Sequence, residues 1–133
     1  MKDKILFIVF ISLLVVLAGS FVGTKLFKGS VQKNLIKLLA TPVEDVDLTI
    51  VADGTYEGKF KAFPISVKVK VAVKDHKITS IEYIEHKSGN GAPAEKIQES
   101  VIEAQSLQVD AISGATYSSK AILNAISNAL KKK

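Results

Sequence analysis

From Ile5 to Thr24 the chain runs twenty residues without a charge, most of them Ile, Leu, Val, Phe or Ala, entered through Met1-Lys2-Asp3-Lys4 and closed by Lys25. A helix rises about 1.5 Å per residue, so such a run spans roughly 30 Å, the thickness of a bilayer's hydrocarbon core. Residues 1–25 are therefore read as a transmembrane anchor. A cleaved signal peptide has the same basic start and a shorter apolar run, and Ala18-Gly19-Ser20 would suit a signal peptidase, so a signal segment is the alternative. Lys2 and Lys4 precede the span while Lys25, Lys28, Lys33 and Lys37 follow it. Counting lysines therefore does not orient the span.

The charge of +5 needs dissecting, because a basic chain invites a nucleic-acid reading. Residues 1–30 carry a net +3 and residues 120–133 a net +4, which leaves 31–119 at −2. All 18 basic residues are lysine. Without arginine there is no planar fork for guanine edges, and the basic ends flank the membrane segment and the tail, so nucleic acid is not an expected partner. The sequence contains no cysteine and two histidines far from any H-x-x-H spacing. Disulfides, thiolate metal sites and cysteine nucleophiles are excluded, and no metal site is expected.

Val31, Leu35, Leu38 and Leu39 fall on one helical stripe, which predicts a short juxtamembrane helix stopped by Thr41-Pro42. Glu44-Asp45-Val46-Asp47 then reads as linker, so residues 26–52 are assigned to a juxtamembrane linker and 53–133 to the folded domain. Ile65 to Lys74 alternates strictly, with Ile65, Val67, Val69, Val71 and Val73 aliphatic between polar or small residues, the pattern of a half-buried strand. Tyr56, Gly58 and Phe60 alternate upstream, before a break at Ala62-Phe63-Pro64. Asp75-His76 turns the chain into a third strand, Lys77–Glu85, with Ile78, Ile81 and Tyr83 as its apolar positions. Three strands in succession predict an antiparallel meander.

Lys87-Ser88-Gly89-Asn90-Gly91-Ala92-Pro93 reads as a loop. A helix is predicted from Pro93 or Ala94 to near Ser106, with Ile97, Val101 and Ala104 as its stripe. A last helix is predicted from Ser118 to Leu130, with ridges at Ile122, Ile126, Leu130 and at Ala121, Ala125, Ala129; its alanines let it lie close to the sheet. Lys131–Lys133 suits the C-terminal end of that helix. The expected fold class is α+β: an N-terminal transmembrane helix, then a small antiparallel sheet packed with two helices.

Between the two helices lies Val109-Asp110-Ala111-Ile112-Ser113-Gly114-Ala115-Thr116-Tyr117-Ser118-Ser119, dense in small and hydroxyl residues. In structural terms Ser118 or Ser119 caps the last helix and Gly114 allows a turn. In functional terms a helix N-terminus beside a Gly-Ala backbone offers free N–H groups to an anion, so a phosphate at Thr116 would be stabilised there.

Asp110-Ala111-Ile112-Ser113-Gly114-Ala115-Thr116 with Ser118-Ser119, preceded by Glu103-Ala104-Gln105-Ser106 and by the loop from Glu85-His86 to Pro93, resembles the FMN-binding domain family. Its relatives include the C subunit of the sodium-translocating NADH:quinone oxidoreductase and the G subunit of the Rnf complex. The resemblance covers about Asp53 to Ala129. It implies FMN as cofactor, esterified through its phosphate to Thr116 by a separate flavin transferase that recognises the motif, Asp110 included, outside the cytoplasm. An extracytoplasmic domain on a single-pass anchor in the cell membrane is therefore expected. The resemblance places Ser113, Gly114, Ala115, Tyr117, Ser118 and Ser119 around the phosphodiester. Asp110 is otherwise an Asx-turn residue, Tyr117 stacks on the isoalloxazine or packs under the loop, and His86 touches the flavin or is a solvated or structural histidine. The larger subunits' E-T-P-G-L-G-type loop is here Lys87–Pro93, a departure at the ring end of the site.

No nicotinamide, haem or iron–sulfur motif accompanies this constellation. The function expected is an electron carrier between redox partners, such as a quinone-linked dehydrogenase, more than a self-contained enzyme. The alternative is a membrane-anchored binding module without covalent flavin. A reductase with its own small substrate would need an acid/base cluster that the sequence does not display.

Overall fold

A computed structural model of the chain describes residues 1–87 and 92–131. It divides into two compact units, Met1–Lys33 and Asn34–Lys133. The first unit is helix, the greater part of α1 (Lys2–Ala40). Its segment Lys2–Ser20 is long and apolar enough to cross a membrane, a length and composition that a signal sequence shares. Ile5, Leu6, Phe7, Ile8 and the apolar side chains up to Leu17 stand exposed, a surface suited to hydrocarbon. The juxtamembrane helix expected after residue 30 is no separate element, because no proline intervenes before Thr41-Pro42 and α1 continues to Ala40.

In the second unit three strands form an antiparallel sheet in the order β1-β2-β3: β1 (Gly54–Ala62), β2 (Ile65–Lys74) and β3 (Lys77–Lys87). The meander is as expected, and so is its hairpin at Asp75-His76, where both residues take positive φ (52° and 61°) in the manner of a type I′ turn. After residue 91 come a 3-10 turn (Ala92–Lys96), α2 (Ile97–Ala104) and α3 (Thr116–Lys131). The fold is α+β. The loop expected at Lys87–Pro93 lies at residues 88–91 outside the described residues, as do Lys132 and Lys133 of the expected helix-end charge.

α3 packs on β1 and β2, and its ridge of Ala121, Ile122, Ala125, Ile126 and Ala129 is fully buried against the β2 valines. Alanine on the helix is half of that close approach. The other half is Gly58 on β1, where an added Cβ would lie 2.6 Å from the Cβ of Ala129.

β3 departs from simple alternation. Its pairing with β2 shifts register between Lys68 and Val69 and between Ala72 and Val73, leaving Ile84 and Thr79 as extra residues. Val73, Val71, Val69 and Val67 therefore face Ile78, Ile81, Tyr83 and His86 respectively. Without the bulge at Ile84, His86 would point to the opposite face from Tyr83.

The stretch 26–52, expected as linker, is in its later part built into the second unit. Leu38 is buried in the core, Val51 joins it, and Val43 and Val46 pack against it. Asp45 accepts the Ser106 hydroxyl at 2.7 Å and the Leu107 N–H at 3.0 Å. Gln108 Nε2 donates to the Val43 carbonyl, the Ser127 hydroxyl to the Glu44 carbonyl, and Lys131 pairs with the Glu44 carboxylate. The polar residues that read as linker are those that bind this strap to the domain.

Candidate flavin site

The attachment segment is a turn that runs directly into α3. Ala115 N–H donates to the Ile112 carbonyl at 2.9 Å, closing a four-residue turn over Ser113 and Gly114. Gly114 has φ +79°, the left-handed conformation that a type II turn demands at its third position. The Ala115 carbonyl accepts the Ser119 N–H at 2.9 Å, the first bond of α3. Thr116 is therefore the first helical residue, and the N–H groups of Thr116, Tyr117 and Ser118 lack intrahelical acceptors by the geometry of a helix start.

The helix begins two residues earlier than the sequence pattern predicts, which changes the parts played by its serines. Ser118 and Ser119 are not caps; both turn into the core, at 4% and 0% exposure. Ser119 Oγ accepts the Ile112 N–H at 3.0 Å, so this hydroxyl orders the turn from within and does not face an anion. Ser113, Gly114, Thr116 and Tyr117 are exposed, while Ala115 is buried. Asp110 is exposed on an open cleft of about 430 Å³ bounded by Val43, Gln108, Lys120 and Leu123, and among the described residues it forms no Asx-turn hydrogen bond.

His86 belongs to a second group, on the inner face of β3. Its side chain is 4% exposed, so it is not the solvated histidine that was one expectation. Nδ1 lies 2.9 Å from Glu95 Oε1, and the ring stacks on Tyr83 with centroids 5.9 Å apart at 27°. The Tyr83 hydroxyl donates to the Glu95 carbonyl at 2.8 Å; burial, then the Glu95 charge, push its ionisation far above the ordinary tyrosine value. His86 Nε2 is buried and has no hydrogen-bond partner among the described residues. Glu95 stands on the 3-10 turn that packs against α3, the helix that begins at Thr116.

Glu95 was not legible as a framework residue, and Gln105 was legible only as a member of the Glu103-Ala104-Gln105-Ser106 string, without its role. Glu95 comes nine residues after His86, a spacing that signals nothing without the fold. Gln105 follows α2 in the left-handed conformation (φ 50°), and its amide accepts the Ile78 N–H at 2.7 Å and donates to the Ile78 carbonyl at 2.9 Å. It stands in for a neighbouring strand at the outer edge of β3.

Residues 63–131 match the family model of the FMN-binding domain. The chain belongs to the FMN-binding domain family. Over 80 residues it is also 35% identical to an NADH:acrylate oxidoreductase of Vibrio harveyi, a match covering 58% of this chain and 8% of that protein's length. The cofactor of this FMN-binding domain is FMN, and the chain is a flavoprotein. An open hydroxyl at a helix start suits a phosphate, and a buried histidine nitrogen with no hydrogen-bond partner among the described residues suits a polar ring edge.

Proposed function

We propose that this FMN-binding domain is an electron carrier whose FMN is joined by a phosphoester to Thr116 Oγ, on a single-pass membrane anchor with the domain outside the cytoplasm. The observation that carries the reading is the exposed Thr116 at the first position of α3, on a turn whose neighbours Ser113 and Gly114 are also open. A transferase reaches this hydroxyl without displacing a side chain from the core, and the exposure of Asp110 supports its recognition by that enzyme.

When bound, the flavin supplies the hydride and single-electron chemistry. The chain supplies the rest. A phosphodiester at Thr116 keeps one negative charge, which the N–H groups of Thr116, Tyr117 and Ser118 and the helix dipole stabilise. The inner hydroxyl of Ser119 holds the turn in place while that charge is accommodated. Tyr117, 38% exposed beside the attachment point, offers an aromatic face to the ring system.

The Vibrio harveyi relative is an NADH:acrylate oxidoreductase by name, which supports a redox setting for this domain. Electrons would arrive from one partner, such as a quinone-linked dehydrogenase, and leave to another. Intact mass and the visible spectrum of the denatured protein, co-produced with a flavin transferase, test the linkage. Wild type should gain FMN minus water and remain yellow after denaturation, and Thr116→Ala should gain nothing. An unmodified wild type beside a demonstrably active transferase would leave FMN bound without a covalent bond.

A further inference from the structure

Resting on the flavin-carrier reading above, we propose that His86 Nε2 is the hydrogen-bond acceptor for the ring end of FMN, with Glu95 and Tyr83 as its positioning residues. The argument begins with proton placement. A carboxylate only accepts, so the 2.9 Å contact with Glu95 Oε1 puts the proton on His86 Nδ1. In the neutral tautomer that carries this proton, Nε2 presents a lone pair. Oxidised isoalloxazine carries a single N–H donor, N3–H, between its two carbonyls, and this is the complement of that lone pair.

The imidazole has little freedom. Tyr83 stacks on one face, and the Tyr83 hydroxyl bonds to the backbone carbonyl of the same Glu95 that holds Nδ1. Two bonds thus tie β3 to the 3-10 turn that rests on α3, and the bulge at Ile84 brings Tyr83 and His86 to the same face. So much organisation around a nitrogen with no partner among the described residues is unusual, because a buried unpaired acceptor destabilises the chain that carries it. Nε2 is buried, so a ring edge that bonds to it takes the place of what now covers it and supplies the missing hydrogen bond.

A lone pair against the ring disfavours the negative charge that the flavin takes up on reduction. Removing it should raise the midpoint potential. The test uses the full-length chain co-produced with the transferase, as wild type, His86→Leu and Glu95→Gln, with intact mass, flavin fluorescence and a dithionite titration of the two-electron midpoint for each. Glu95→Gln alters a half-buried side chain with little change of volume, and it keeps the question open to experiment should His86→Leu fold poorly.

With the FMN adduct present in all three proteins, His86→Leu is expected to raise the midpoint by about 30 mV, the two-electron equivalent of a tenfold change in relative binding of the two redox forms. Glu95→Gln should move potential and fluorescence in the same direction by less. Adducts in all three with unchanged potential and fluorescence would overturn the role of His86 and leave the carrier intact. A wild type that holds no FMN at all, covalent or not, beside an active transferase would instead overturn the carrier reading, and this inference with it.

Discussion

The hydroxyl of Ser119, inside α3, accepts the backbone N–H of Ile112 across seven residues at 3.0 Å, while the Ile112 carbonyl accepts the N–H of Ala115. Both backbone groups of one residue are thereby fixed on either side of the Ser113-Gly114 turn. Ser119→Ala should leave the Ile112 N–H without its acceptor and cost about 1–3 kcal/mol, measured as a lower urea midpoint. Flavin attachment at Thr116 should also slow, because the acceptor hydroxyl would be presented by a looser turn. An unchanged midpoint would show that water replaces the serine.

Gly58 is the tightest point between sheet and helix. An added methyl at this position meets Ala129 Cβ at 2.6 Å, and the backbone of α3 is closer still. Gly58→Ala should therefore cost about 3 kcal/mol by thermal melting, near the upper end of overpacking effects, since backbone atoms cannot yield as a flexible side chain does. Gly19, where an added methyl would meet nothing within 4 Å, should accept alanine without change.

Asp45 makes the strap sensitive to acid. Partial burial pushes its carboxyl up, but the Leu107 N–H, the Ser106 hydroxyl and the Val46 N–H outweigh that and hold it below the ordinary aspartate value. A carboxyl whose folded value is the lower one contributes stability that is complete above the unfolded value, about 3.9, and is lost as pH falls through the folded one. Asp45→Asn should lower the melting temperature at pH 7, and its difference from wild type should shrink below about pH 4. A pH-independent difference would mean that the carboxylate charge plays no part.

Gln105 serves as a substitute strand for Ile78. Gln105→Ala should destabilise by about 2 kcal/mol, because both backbone groups of Ile78 lose their partner at the sheet edge. Gln105→Gly relieves the left-handed backbone and still lacks the amide. If glycine restores wild-type stability, the backbone conformation and not the amide is what matters.

The strands were legible because alternation at period two is a local property: Val67, Val69, Val71 and Val73 announce β2 and its buried face without reference to any other segment. The last helix was legible from its Ile and Ala ridges, and the attachment segment from the composition and order of Asp110 to Ser119. What escaped depends on partners distant in sequence. Ser118 and Ser119 have the chemistry of caps, and only the closing of the turn at Ala115 shows that the helix has already begun. Asp45 resembles linker because the donors it accepts from lie some sixty residues away, at Ser106 and Leu107. The start of α2 at Ile97 was obscured by the 3-10 turn before it, which has helical composition without α-helical hydrogen bonding.

The two extra residues of β3 act on the strand as paired single-letter insertions act on a reading frame. Thr79 changes which parity of residue number faces inward, and Ile84 changes it back, so Ile78 and His86 share even parity while Ile81 and Tyr83 between them are odd. The inward aim of His86 is thus a property of counting along the backbone and not of the imidazole. Shortening the strand by one residue at Ile84 would leave every side chain's chemistry unchanged and still turn the histidine out to water.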